Sequence, residues 1–358
     1  MGTEKNDIKE LFLDLVAIDS PSGHEKEIAE FVAKKLTKMK VENTIDEHGN
    51  IVAFVGGTGE ALLLCAHMDT VEPGRGIKAV IHGDTIETDK KTILGADDKA
   101  GIAEIICAVA QLKEKNLMHR PLEIVFTCQE EVGLLGSQKL NKKYITAKEG
   151  LIIDRSGPAQ VVVIASPFIS RIDIEIDGKA AHASNPELGI SAIKMAADAI
   201  SKLKVGRIDE ETTNNIGTIT GGRIRNGVPE RVFLEAEVRS HSKEKNEKQI
   251  KKIKKEFENV ICEHGGKMEF LSKLSCQGYK HNLSNPLIKK IQTTWQEMGQ
   301  TPIFEKAGGA SDANEFAAWG INVTDIGYGG INPHTKDEQI KISDMQLIAD
   351  FIVNFVKI

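Results

Sequence analysis

His67 and Asp69 stand two positions apart at the end of the apolar run ALLLCAHMDTV. In an extended chain, residues two apart leave on one face, so both side chains emerge together. An imidazole can take a metal through one nitrogen while a nearby carboxylate, or groups around it, fixes the ring's tautomer. Taken alone, the pair equally fits a strand-end histidine in a turn. Acidic residues recur in similar settings. Asp97 and Asp98 open the helical repeat of LGADDKAGIAEIICAVAQLKE. They read either as a cap pair favoured by the helix dipole or as a bridging carboxylate followed by a cap. Glu130 and Glu131 follow the strand pattern Leu122 to Cys128, and Asp154 ends Leu151-Ile152-Ile153. Exposed glutamates at strand ends are common, yet buried carboxylates without a partner are costly. A last histidine, His334, lies in the glycine-rich GYGGINPHTKDE.

Five ligand-type groups, His67, Asp97, Glu131, Asp154 and His334, thus fall at strand ends or loops on one edge of an inferred sheet. Mixed histidine and carboxylate ligands suit zinc, and less often manganese or cobalt. With Asp97 shared, each of two cations gains three protein ligands. That is the paired arrangement, roughly 3.5–4 Å apart, that activates water for hydrolysis. Glu130, beside a ligand but not needed as one, is then the natural general base.

The elements that must position these groups follow from patterning. Ala61 to Ala66 has neither charge nor polar alternation, as a strand covered on both faces does. Open α/β sheets bind ligands at the carboxyl ends of such strands. Helical spacing runs from Ile8 to Val16, stops at Ser20-Pro21-Ser22-Gly23, and resumes from Ile28 to Leu36. Val41 to Ile45 and Ile51 to Val55 flank a hairpin turn at Glu47 to Asn50. Val71 to Leu94 reads as a loop across the site's mouth with short extended pieces, Ala79 to Ile81 and Thr85 to Thr88. A helix from about Asp98 to Lys115 follows. Helical patterns between the three acidic strand ends mark parallel βαβ units.

From about Phe168 the pattern changes. Arg171 to Asp177 and Val232 to Val238 alternate apolar and polar, as sheets with one wet face do. Helices run from Leu188 to Leu203 and from Lys243 to His264. After Pro286 the parallel pattern returns, with a helix to Met298, strands at Ile303 to Glu305 and Val323 to Ile326, and a closing helix from Asp344 to Val356. The expected fold is α/β, a mostly parallel-sheet catalytic domain over 1–167 and 278–358, with an inserted α+β module over 168–277.

Composition narrows the partners. The 358 residues fit two domains or one with an insertion. A net charge of −6 without a basic surface, and only 5% aromatic residues, argue against nucleic acid and leave a small molecule as partner. The five cysteines have no CxxC spacing and read as free thiols of a reducing compartment. The start MGTEKNDIKE is too polar for a signal segment, Lys5 and Asn6 argue against myristoylation, and no apolar run reaches the roughly 18 residues of a membrane span. A cytoplasmic place, with no membrane partner, is expected.

The motifs AHMDTV, GADDKAG, QEEVGLLGS, IIDRSG and NPHTKDE, in this order, resemble the dinuclear zinc peptidases that include peptidase T, carboxypeptidase G and aminoacylase relatives. The resemblance covers nearly the whole chain. It implies two zinc ions per subunit, one on His67, Asp97 and Asp154 and the other on Asp97, Glu131 and His334. Asp69 would orient the site and Glu130 would be the base. It also implies a cis peptide at Asp97-Asp98. Asp154, where some relatives have glutamate, and GGASDANEF look like the peptidase T branch. The inserted module would be the family's lid and dimerisation domain, giving a homodimer. KAAHASNPELG resembles the stretch whose histidine, here His182, steadies the oxyanion in the partner subunit's site. GGRIRNGVP resembles the segment whose asparagine, here Asn226, binds substrate, with Arg223 beside it. Where relatives carry an arginine near the GG of the late loop, this chain has Ala307 and Asn314. Strict tripeptide specificity therefore does not carry over, and Asn314 stands as a candidate substrate contact.

The expected activity is hydrolysis of amide bonds in short peptides, as an aminopeptidase. The alternatives are an N-acyl amino acid deacylase or carboxypeptidase with the same site, and a catalytically silent metal-dependent peptide binder.

Overall fold

The computed structural model describes residues 7–358. Met1 to Asn6, on which the expectations about a signal segment and myristoylation partly rest, lie outside the described residues. The large sheet is built on Glu42–Ile45 (β1), Ile51–Val55 (β2), Leu62–His67 (β3), Leu122–Thr127 (β4), Glu149–Arg155 (β5), Val161–Ser166 (β6) and Asn322–Gly327 (β7). These strands lie in the order β1, β2, β4, β3, β5, β7, β6. At the centre β3 pairs in parallel with β4 and β5, and β7 runs parallel to β5. β3 and β4 are buried at every position, which is why neither alternates. Their register sets His67 against Thr127, so the segments that follow them leave the sheet at one level.

The helices that cover this sheet are Ile8–Val16 (α1), Lys26–Lys38 (α2), Ala96–Glu114 (α3), Pro286–Glu297 (α4), Asp312–Ala318 (α5) and Ile342–Val356 (α6). α3 has almost no exposed face, which blurs its helical periodicity. It contributes Ile102, Ile105, Ile106 and Val109 to a core shared with Phe12, Phe126 and Phe355. Each such side chain, fully buried, stabilises the fold by about 1.5–3 kcal/mol. Trp295 of α4 stacks on Phe351 of α6 with ring centroids 4.2 Å apart.

Three local features stand out against these expectations. Between β4 and β5 the chain forms only the short helix Leu135–Lys139 and the turn Lys142–Tyr144, not a full crossover helix. Within α3, Asp97 and Asp98 have non-helical dihedrals and the peptide bond between them is cis, as the resemblance implies. The extended pieces Ala79–His82 and Thr85–Thr88 form a hairpin that pairs onward with Gln339–Lys341 and Gly330–Ile331. This small sheet braces the loop that carries His334.

The chain divides into two compact units, one ending first at Ile164 and resuming over His281–Lys306 and Ser311–Ile358, the other Ala165–Lys280 with Ala307–Ala310. The second unit thus takes a short piece of chain beyond 168–277. His241 Nε2 lies 2.8 Å from the Ala307 carbonyl, and Arg239 donates to the Gly308 carbonyl at 3.1 Å. This unit is an antiparallel sheet of Gly206–Arg207, Thr212–Gly221, Arg231–Ser240, Phe168–Asp177 and Lys267–Cys276, in that order. Ile172, Ile174 and Ile176 face Met195 and Phe257, from the helices Ala192–Lys202 and Lys243–His264. The first of these helices starts at Ala192 rather than Leu188 because the Ser191 hydroxyl caps it, accepting the Lys194 N–H at 3.2 Å. Among the described residues no helix is long and apolar enough to cross a membrane, and none of the five cysteines is in a disulfide.

Candidate metal centre

His67, the last residue of β3, is buried, and its Nδ1 lies 2.9 Å from the carbonyl oxygen of Asp69 and 3.4 Å from that residue's Oδ1. The tautomer is therefore set mainly by the Asp69 backbone, with the carboxylate behind it. A protonated Nδ1 leaves Nε2 as the free donor atom. That nitrogen faces Asp97 Oδ1 at 3.1 Å and Asp154 Oδ1, at the end of β5, at 3.6 Å. The second histidine meets the same carboxylate from the other side. His334 Nε2 lies 3.3 Å from Asp97 Oδ2 and 2.7 Å from Glu131 Oε1. Asp97 thus presents one oxygen to each ring.

The neighbouring acids divide the supporting work. Asp98 is fully buried, accepts the His67 backbone N–H at 3.1 Å and caps the helical turn through Gly101 N–H at 3.2 Å. Asp69 accepts the N–H groups of Glu130 at 2.9 Å and Glu131 at 3.2 Å, and the Ser22 hydroxyl at 2.6 Å. One carboxylate therefore fixes His67 and the backbones of Glu130 and Glu131 together. Gln129, just before the glutamate pair, and His334 itself adopt left-handed backbone, with φ of 53° and 62°. For residues other than glycine such conformations cost on the order of 1 kcal/mol and concentrate at functional sites.

The electrostatics fit a cation pair. Burial pushes the Asp154 carboxyl well up, with Asp97 and Asp325 adding to the push and His67 opposing it. Burial likewise pushes Glu130 up, and the charge of Asp154 adds to it. Burial would raise Asp97 as well, but its hydrogen bonds with His334 and His67 outweigh that and hold it low. For His67, burial works downward and is outweighed by Asp154, Asp69 and Asp97, so the ring is drawn up. This excess of buried negative charge is what divalent cations would balance. The donor atoms form the groups His67, Asp97, Asp154 and Asp97, Glu131, His334, each within 4.8 Å, and Asp97 belongs to both. Glu130 joins His67 and Glu131 in a further group, but only Glu131 lies against His334. Imidazole nitrogen and carboxylate oxygen suit zinc, manganese or cobalt.

The candidates for substrate contact are spread over both units. His182 and Asn226 are exposed in the second unit. They sit around a two-stranded ribbon in which His182 pairs with Gly227 and the Ala183 N–H donates to the Asn226 carbonyl at 3.0 Å. Arg223 is exposed nearby in sequence. Asn314 has a different place from the one expected. It is 1% exposed and closes a capping box at the start of α5, its Oδ1 accepting the Ser311 N–H at 3.1 Å. A side chain engaged in this way has no open face to offer a substrate.

Sequence reasoning missed several supports. Glu25 Oε1 accepts the N–H groups of Gly23 at 2.8 Å and Gln129 at 3.0 Å. Asp312 accepts the hydroxyls of Thr127 and Ser137, both at 2.5 Å, and so braces the strand and the segment on either side of Glu130. The fully buried Glu338 reaches the loop of Asp97. Ser22 and Glu25 stand where only a helix stop was legible. For Asp312 and Glu338 the one available signal was acidic residues standing inside the quoted motifs GGASDANEF and NPHTKDE.

Comparison with known proteins supplies the family. Residues 168–264 match the M20 peptidase dimerisation domain, and residues 50–154 match peptidase family M28. The Bacillus subtilis protein YqjE is 37% identical over 100% of this chain and 99% of its own. The crystal structure of aminopeptidase PepT from Bacillus cereus is 37% identical, with a TM-score of 0.92 over 98% of this chain and 97% of that one. A tripeptidase from Staphylococcus aureus is 35% identical, with a TM-score of 0.94 over 98% and 97%. The M28 match covers only part of the first unit, whereas the dimerisation domain and the whole-chain likenesses point one way. The chain belongs to the M20 family of metallopeptidases, in its peptidase T-like branch.

Proposed function

We propose that this metallopeptidase is a two-zinc aminopeptidase acting on short peptides. The observation that carries this reading is the division of the Asp97 carboxylate between His67 and His334. The names aminopeptidase and tripeptidase, borne by relatives alike over nearly the whole chain, support the substrate class. His67, Asp97 and Asp154 would hold one zinc, and Asp97, Glu131 and His334 the other, with manganese or cobalt as alternatives. When bound, such a pair polarises the scissile carbonyl and lowers the pKa of water.

Glu130 takes the proton of the attacking water and hands it to the leaving amine. Burial raises its carboxyl above the ordinary carboxylate value, the direction in which proton shuttles are tuned. Asp69 holds the Glu130 backbone and the His67 ring in register during the transfer. His182, Asn226 and Arg223 are proposed to contact substrate. The segment matching the dimerisation domain is proposed to pair two copies of the chain. Five cysteines outside any disulfide support a cytoplasmic place.

A panel of di- and tripeptides, with free or blocked amino termini, tests the reading before and after chelation. Turnover of free tripeptides that stops on chelation and returns with zinc is expected. Turnover confined to blocked amides would overturn the aminopeptidase assignment in favour of a deacylase.

A further inference from the structure

Asp97 and His334 approach each other from different loops, and one side chain ties those loops together. Glu338, shortly beyond His334, is fully buried, and its carboxylate accepts three backbone N–H groups. Oε2 takes those of Leu94 at 2.7 Å and Gly95 at 2.8 Å, and Oε1 takes that of Asp97 at 3.0 Å. Gly95 turns the chain there with a left-handed φ of 70°, open to glycine without penalty. The amides at the start of a helix have no partner within it, and a carboxylate is the favoured acceptor for them. Neither Glu338 oxygen belongs to a ligand group, so its interactions are with the backbone that carries the ligand.

We infer that Glu338 is a positioning residue for the metal centre: it fixes the backbone from which Asp97 projects, so that one Asp97 oxygen faces His67 and the other His334. Because Asp97 belongs to both ligand groups, the effect reaches both cations. The inference rests on the two-cation reading above. Glu338→Gln preserves shape but turns an NH2 group toward backbone N–H donors, leaving at least one of them without an acceptor. Loss of a hydrogen-bond support behind a ligand weakens metal affinity by about 10- to 100-fold.

Cobalt(II) titration of the metal-free full-length chain, followed by visible absorption and equivalents bound, tests this. The unaltered protein should bind two equivalents. Glu338→Gln should weaken both by about 10- to 100-fold and alter the visible bands. Two equivalents bound with unaltered affinity and spectrum would overturn the role of Glu338 alone, even if the thermal midpoint of the metal-free variant fell. No cobalt bound by the unaltered protein would overturn the two-cation reading and this inference with it. Should Glu338→Gln not fold, amide exchange in the unaltered metal-free protein decides. Slow exchange at Leu94, Gly95 and Asp97 supports the clamp, and exchange at free-loop rates overturns it.

Discussion

The backbone N–H of Glu130 donates to the carboxylate of Asp69 at 2.9 Å, so the residue behind His67 also holds the stem of the proposed base. Asp69→Asn keeps the shape but offers one acceptor oxygen where two oxygens now serve Glu130, Glu131 and Ser22. The folded protein should survive with kcat lowered about 10- to 100-fold, the usual effect of removing a support behind a metal ligand. Steady-state kinetics with far-ultraviolet circular dichroism checks this, and an unchanged kcat would remove Asp69 from its role.

Glu130→Gln separates proton transfer from metal binding. The amide cannot take a proton from water, but the side chain is not one of the proposed ligands. Turnover should fall by about 10²- to 10⁴-fold with metal content unchanged. Metal analysis on the sample used for kinetics decides, since a loss of metal in parallel with activity would make Glu130 a ligand.

Metal binding should release protons. Hydrogen bonds with Asp97 and Glu131 push the His334 ring up to about 10 from its ordinary value of 6.5 in the metal-free protein. At neutral pH the ring carries a proton there, and a cation must displace it. Affinity should therefore climb with pH until about 10. The same shift stabilises the metal-free fold fully below pH 6.5, and that contribution fades as pH rises through about 10. Calorimetry in buffers of differing ionisation enthalpy measures the protons released; none released at neutral pH would contradict the assignment.

Glu104 lies on α3, fully buried, and neither of its carboxylate oxygens has a hydrogen-bond partner among the described residues. Burial, and then the charge of Asp344, push its carboxyl well up. A folded-state pKa raised in this way makes stability fall as pH rises above the ordinary value of 4.5. Glu104→Met should stabilise the protein by about 1–3 kcal/mol at neutral pH and flatten that decline. Urea unfolding at two pH values tests both, and a destabilised variant would show that Glu104 has a partner that matters.

The sheet centre and the candidate ligand positions were legible because strands buried on both faces leave largely apolar runs. Chemistry-bearing residues then stand out where those runs stop, as His67 and Asp154 do. Glu338, Asp312 and Glu25 were not legible, because a buried carboxylate that accepts N–H or O–H groups from a distant segment leaves no periodic mark near itself. Asn314 misled for a related reason. A polar residue at a helix start looks the same in sequence whether it caps the helix or meets a ligand. Two strands of the brace under His334 were legible as extended pieces, but the two that complete it, Gly330–Ile331 and Gln339–Lys341, have only two and three residues, too few to show alternation.

An equilibrium zinc titration of the full chain tests the shared role of Asp97 most directly, with Asp154→Asn, Glu131→Gln and Asp97→Asn measured alongside. The expected result is two equivalents for the unaltered protein, one retained tightly by each of the first two variants, and both weakened by Asp97→Asn. A single equivalent in the unaltered protein, or two that survive Asp97→Asn with undiminished affinity, would contradict it.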